Sequence, residues 1–188
     1  MRPVEPAALP ISGPQKELIA IRQYVVVVSI NIQRLEVGPG NDEYVERAWQ
    51  LKERIRRSEG VLRQRKNFFR NAYERSTVYI YADRSHDRLI GFAAVRRDGY
   101  ILFLAVDEDY QGQGFGKRLV ASVAGEHKSV TCHARTTNEE ALSFYRDLGF
   151  EIERRIDGYY EDGGDAYYLR LGEEAGIRER LARLLGRS

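Results

Sequence analysis

Between Tyr100 and Ala124 the chain runs through a short apolar stretch, an acidic bend, the hexad Gln111-Gly112-Gln113-Gly114-Phe115-Gly116, and Lys117-Arg118 at the start of a helical pattern. A strand that ends in glycines and turns into a helix leaves several backbone N–H groups unpaired at one point, with the positive end of the helix dipole behind them. That is a seat for phosphate, flanked here by two cations. None of its side chains is a nucleophile, so it predicts a bound cofactor whose chemistry is completed by other segments.

Few side chains elsewhere titrate near neutral pH. His86 falls in a polar turn and His127 follows Gly125, which reads as a helix stop, so both are expected on the surface. The three histidines have no partners at metal-ligand spacing, and no metal is expected. His133 lies on a short strand, and an imidazole of ordinary pKa, about 6.5, suits a base near neutrality. Cys132 precedes it directly, but strand alternation sends the two side chains to opposite faces, which argues against a cysteine–histidine nucleophilic pair. As the single cysteine it also excludes an internal disulfide and points to a reducing cytoplasm.

The elements that must position these residues fit one domain with extensions, in a chain of 188 residues. Thirty Lys plus Arg against 28 Asp plus Glu leave a net charge of only +2, so overall charge favours neither a nucleic-acid nor a membrane partner. The apolar run Tyr24 to Val28 is a strand's worth and not a membrane span. Pro3, Pro6, Pro10 and Pro14 mark residues 1–18 as a flexible leader. The main domain is expected over 19–172, with an amphipathic helix over 173–188 carrying Ile177, Leu181, Leu184 and Leu185 on one face.

Within the domain, Ile19 to Ile32 reads as an opening strand and Gly38-Pro39-Gly40-Asn41 as a turn. Asn41 or Asp42 is expected to cap a helix with Val45, Ala48, Trp49 and Ile55 at helical spacing, stopped by Gly60. A second helix should set Leu62, Phe69 and Tyr73 opposite Arg63, Lys66 and Arg70. The cationic stretch 52–75 is either a solvated face or a docking face for an anionic partner such as ribosomal RNA or the cofactor's outlying phosphate. A meander follows, with strands over Val78–Ala82, Leu89–Arg96 and Tyr100–Val106. Next come a helix over Gly114–Ala124 and a strand over Ser129–Ala134. Thr137-x-x-Glu140 predicts a capping box on a helix ending at Leu148-Gly149, and Phe150–Ile156 and Ala166–Leu171 are the last strands. The class is α/β with a mixed sheet of about six to seven strands.

Two motifs now stand at a fixed distance. Gln111-x-x-Gly114-x-Gly116 follows an apolar strand, and Asn138-x-x-Ala141-x-x-x-Tyr145-x-x-x-Gly149-Phe150 comes after it. Together they resemble the GNAT superfamily of acetyl-CoA-dependent N-acetyltransferases. The segment Arg155-x-Asp157-Gly158-Tyr159-Tyr160-x-Asp162-Gly163-x-Asp165-Ala166-Tyr167 is similar to the final hairpin of the protein N-terminal acetyltransferases, including those of bacterial ribosomal proteins and their archaeal relatives.

The resemblance implies the GNAT fold and transfer of acetyl from acetyl-CoA to a primary amine, foremost a protein N-terminal α-amine. A lysine or small-molecule amine as acceptor, and a non-catalytic acyl-CoA sensor, are the alternatives. On the cofactor side it implies that the backbone of Gly112, Gln113, Gly114, Phe115 and Gly116 cradles the pyrophosphate of coenzyme A. Gln111, Lys117 and Arg118 add side chains, Leu104, Ala105 and Val106 pair with the pantetheine arm, and Asn138 contacts that arm. It makes Tyr145 the general acid for the departing thiolate and His133 the base, with Tyr100 relaying a proton through water. Tyr159 and Tyr160 would wall the acceptor groove. The expected partners are acetyl-CoA and a peptide N-terminus or other amine, with no membrane; the chain would be a monomer or homodimer.

Overall fold

The computed structural model describes residues 31–172 and 175–185. Most of the expected strand over 19–32 lies outside them. The strand that is described, β1, runs Ile32–Val37 and leads into the turn at 38–41. Helices α1 (Val45–Glu59) and α2 (Lys66–Glu74) precede the meander of β2 (Thr77–Asp83), β3 (Arg88–Val95) and β4 (Tyr100–Val106). A 3-10 turn at Glu108–Tyr110 leads to α3 (Phe115–Glu126), β5 (Thr131–Arg135), α4 (Glu139–Asp147), β6 (Phe150–Ile156), β7 (Ala166–Leu171) and α5 (Ala175–Leu184).

The seven strands form one mixed sheet in the order β1-β2-β3-β4-β5-β7-β6, the GNAT fold expected from the sequence. Every neighbouring pair is antiparallel except β4 and β5. Alternation along β2 sends Val78 and Ile80 to one face, where they meet Leu51, Ile55, Phe69 and Tyr73 of α1 and α2. It sends Tyr79 and Tyr81 to the other, against Phe115, Leu119 and Val123 of α3. The sheet is therefore covered on both faces.

Helix ends depart from the local signals in instructive ways. The residue before α1 is Tyr44, with no side-chain cap, because Asn41 turns its Oδ1 to the N–H of Glu43 instead. Leu62 lies in the connection between α1 and α2, not on the second helix. Gly125 does not stop α3. The Arg178 guanidinium of α5 donates to the carbonyls of Ala124 at 2.8 Å and His127 at 3.0 Å, which satisfies the helix end without a left-handed residue. Asn138, not Thr137, caps α4, accepting from the N–H of Ala141 at 3.0 Å.

The amphipathic α5 packs on α3 of its own domain, with Leu181 buried and Ile177 against Gly149. Gly149 has φ +94, and a Cβ there would stand 2.8 Å from Ile177 Cδ1, so both conformation and space require glycine. Among the described residues no helix is long and apolar enough to cross a membrane. Most cations of 52–75 are engaged within the chain, as in Arg54–Asp107, Arg56–Glu53, Lys66–Glu46 and Arg70–Glu74.

Candidate active site

The parallel pair β4 and β5 holds together only at Tyr100–Thr131 and Ile101–Cys132, and beyond those residues the strands part. Opposite β3, the register shifts so that Ala94 pairs with Phe103 and Val95 with Ile101. Leu102 is thus the extra residue of a bulge, a feature that bends a strand and releases its backbone groups from the ladder. Among the described residues the β5-facing edge of Leu102–Val106 has no strand partner, and a cavity of about 840 Å³ runs along it. Glycines 112, 114 and 116 line one end, and the connection 61–65 together with 159–162 lines the other.

The glycine end is held from below. Asp107, buried after β4, caps the 3-10 turn through the N–H of Asp109 and receives Arg54 at 2.7 Å and Arg88 at 2.6 Å. Burial works to raise its carboxyl pKa, but these hydrogen bonds outweigh it and hold the group below the usual carboxylate range. Gly112 and Gly114 have φ +72 and +84, and Gly114 is the residue from which α3 starts. The first-turn N–H groups of α3 have no intrahelical acceptor and open on the cavity. A Cβ on Gly116 would meet the Phe144 ring at 3.1 Å, so that glycine lets α4 close on the seat.

The flanking side chains divide. Lys117 lines the cavity, whereas Arg118 lies over the Phe115 ring and Gln113 bonds the Asp109 carbonyl. The Gln111 amide is tied to Glu59 at 3.0 Å and to the Val106 carbonyl, where it braces the loop. Asn138 lines the cavity while its Oδ1 caps α4.

At the centre, Tyr145 lines the cavity from α4 with its hydroxyl beside the Cys132 thiol. Burial pushes its pKa well above the usual phenol value, so it stays protonated throughout the neutral range. The same burial raises Cys132 to about 12, which removes it as a thiolate nucleophile.

His133 points from the opposite face of β5. Its Nδ1 is 2.6 Å from the Tyr100 hydroxyl, and its ring stacks on Tyr159 at 4.2 Å with the planes 14° apart. Tyr168 packs on another side, and among the described residues the buried Nε2 has no hydrogen-bond partner. Burial, helped by the charge of Arg154, lowers the His133 pKa, so the imidazole is neutral near pH 7. Burial raises Tyr100, which keeps that hydroxyl a donor.

Tyr159 is exposed, with its hydroxyl 3.4 Å from that of Tyr100, while Tyr160 lies under Arg135 at 3.9 Å. Burial pushes the Tyr160 pKa up to about 12. The structure thus brings Tyr100, His133, Tyr145, Tyr159 and Tyr160 to one cavity with the glycines.

Sequence reasoning missed three contributors. The Leu102 bulge has no local signal. Arg63 at 3.0 Å and Arg135 at 2.9 Å both bind the Asp162 carboxylate, which ties the connection 61–65 to the β6–β7 loop at the mouth. Only a pairing across distant segments would have revealed it. Lys52, read as part of a basic face, is fully buried.

Residues 74–152 match the acetyltransferase (GNAT) domain family. The chain is 41% identical to N-alpha-acetyltransferase 30 of Xenopus laevis over 80 residues, which is 40% of this chain and 29% of that protein. It is 34% identical to the N-alpha-acetyltransferase RimI of Mycobacterium tuberculosis over 99 residues, 46% of this chain and 61% of that one. The chain therefore spans less than two thirds of the length of these relatives. In fold it is similar to the ribosomal-protein-S18-alanine N-acetyltransferase from Escherichia coli, with TM-score 0.61, 22% identity, and coverage of 76% of this chain and 98% of that one.

Proposed function

We propose that this chain, which carries a GNAT acetyltransferase domain, transfers the acetyl group of acetyl-CoA to a protein N-terminal α-amine. The observation that carries the reading is one cavity lined by Gly112, Gly114 and Gly116 around the start of α3, by the hydrogen-bonded pair His133–Tyr100 and by Tyr145. Matches to proteins named N-alpha-acetyltransferase support the choice of acceptor.

Acetyl-CoA supplies an activated acyl group, and the residues fit it. The open N–H groups of the α3 start, with Lys117, would hold the pyrophosphate. The unpaired edge of Leu102–Val106 would hydrogen-bond the arm, with one N–H donating to the carbonyl oxygen as charge develops there. Asn138 would meet the same arm.

The acceptor must lose a proton to attack. An α-amine, with an ordinary pKa of about 8, does so more readily than a lysine at about 10.4. His133, neutral by burial, would take that proton, through the Tyr100 hydroxyl that it already faces. The new C–N bond forms as the C–S bond breaks, and Tyr145 would give its proton to the leaving thiolate. Tyr159 and Tyr160 would flank the peptide and exclude water, the large rigid face of tyrosine suiting both tasks. A reducing cytoplasm belongs to this reading, as does the division into a catalytic domain over 19–172 and a C-terminal helix.

The test compares coenzyme A release with three peptides: one with a free N-terminus, the same peptide blocked at its N-terminus, and one whose only free amine is a lysine. Release with the first alone is expected. Release with the lysine peptide or with small amines only would move the acceptor, and acetyl-CoA binding without turnover would favour a sensor.

A further inference from the structure

We infer that Lys52 is a positioning residue for the acceptor, its enclosed ammonium fixing the connection between α1 and α2 in the one backbone shape that presents Leu62 to the cavity. This rests on the acceptor reading above. Lys52 sits on the buried stripe of α1 with Ala48, Leu51 and Ile55, and is itself 0% exposed. A lysine there forgoes hydration, which proteins seldom accept unless the charge is fully engaged. Burial accordingly lowers its pKa, with Glu53 acting against that shift.

What the ammonium engages is telling. Its Nζ donates to the Gln64 carbonyl at 2.5 Å and to Glu53 at 3.1 Å, and lies 4.4 Å from the centre of the Trp49 ring. Gln64 belongs to the stretch 61–65, which has no helix or strand of its own and lines the cavity facing Tyr159–Asp162. Among the described residues the buried Oε1 of Gln64 has no hydrogen-bond partner, and Lys52 holds this residue by its main-chain carbonyl.

Two residues before it, Leu62 has φ +55, a left-handed conformation that a branched side chain keeps only where its surroundings impose it. Val61 and Leu62 also pack against the core under α1 and α2, but the other polar ties given by side chains of this stretch are at the surface. Arg63 bonds the Gly60 carbonyl and Asp162, with Arg63 61% and Asp162 38% exposed, and exposed pairs hold weakly. Lys52 supplies the enclosed tie, yet does not line the cavity itself.

Lys52→Met is expected to fold, as shown by a cooperative melt and acetyl-CoA affinity within about twofold of wild type. Its peptide Michaelis constant should rise about tenfold, with a smaller change in kcat, as displacement of a substrate wall does. Limited tryptic cleavage after Arg63 and Arg65 should accelerate, with no new cut in β4 or β5, and Lys52→Arg should restore part of both effects. Equal change in kcat and KM, or uniform acceleration of cleavage along the chain, would reduce Lys52 to general stability and overturn the inference. If Lys52→Met does not fold, the wild type decides: slow cleavage after Arg63 and Arg65 supports the lock, and cleavage at the rate of a free loop overturns it. A wild type that acetylates no peptide overturns the acceptor reading itself, whereas an active wild type matched by Lys52→Met overturns this inference alone.

Discussion

The glycine end of the cavity comes from one continuous stretch, Asp107 to Lys117, and offers main chain. The acceptor end draws Leu62 and Arg63 from before the meander, Tyr100 from β4, His133 from β5 and Tyr159 to Asp162 from the last hairpin, and offers side chains. A site made of backbone N–H groups depends on conformation, and therefore on the few positions whose φ only glycine adopts cheaply. A site made of side chains depends on each group and on the elements that aim it. The two ends should respond differently to mutation: substitutions at one should change cofactor affinity, and those at the other turnover and peptide binding.

The largest effect should come from the centre, where the two ends meet. Tyr145→Phe removes one hydroxyl from a buried position, and kcat should fall about a hundredfold or more, the range of general acid catalysis, with acetyl-CoA affinity changed only a few fold. Single-turnover rates and equilibrium titration separate the two quantities. Equal losses in both would mean that Tyr145 belongs to the cofactor seat.

His133→Ala should cost less at neutral pH and change the pH profile. Because burial lowers the His133 pKa, the wild-type imidazole is the neutral, proton-accepting form above about 6.5 and for some distance below. The wild-type rate should therefore persist into mildly acid solution. The variant should follow the free amine and fall already below about pH 8. Stability gives a second sign: the unfolded state binds the proton more readily, so His133 destabilises the fold as pH drops through and below its ordinary value, and melting of His133→Ala should be less acid-sensitive. An unchanged rate profile would assign the base to Tyr100 or to water.

Gly114→Ala should produce the smallest change in turnover. At φ +84 an alanine meets no neighbouring atom but is strained, by about 1–2 kcal/mol. The expected outcome is a lower melting temperature and weaker acetyl-CoA binding, with the peptide Michaelis constant changed less than about twofold. A larger effect on peptide binding than on cofactor binding would break the division between the ends.

The same contrast explains what the sequence made legible. The glycine seat, the limits of β4, β6 and β7, and the stop at Gly149 are signalled by neighbours within a few residues. So is the opposition of His133 and Cys132, since strand alternation is a local rule. The Arg178 cap on α3, the Leu102 bulge, the Asp162 clamp and the burial of Lys52 each depend on a partner far along the chain. Lys52 is the plainest case. Read in its segment it is one cation among many, and only the fold places it under Trp49 with the Gln64 carbonyl as its partner.

The most direct test maps the position of acetylation by tandem mass spectrometry, using wild-type protein, acetyl-CoA and a peptide that bears both a free N-terminus and an internal lysine. A single acetyl group on the α-amine, lost with Tyr145→Phe, is the predicted result. Acetylation of the lysine alone, or of neither amine while acetyl-CoA remains bound, would contradict it.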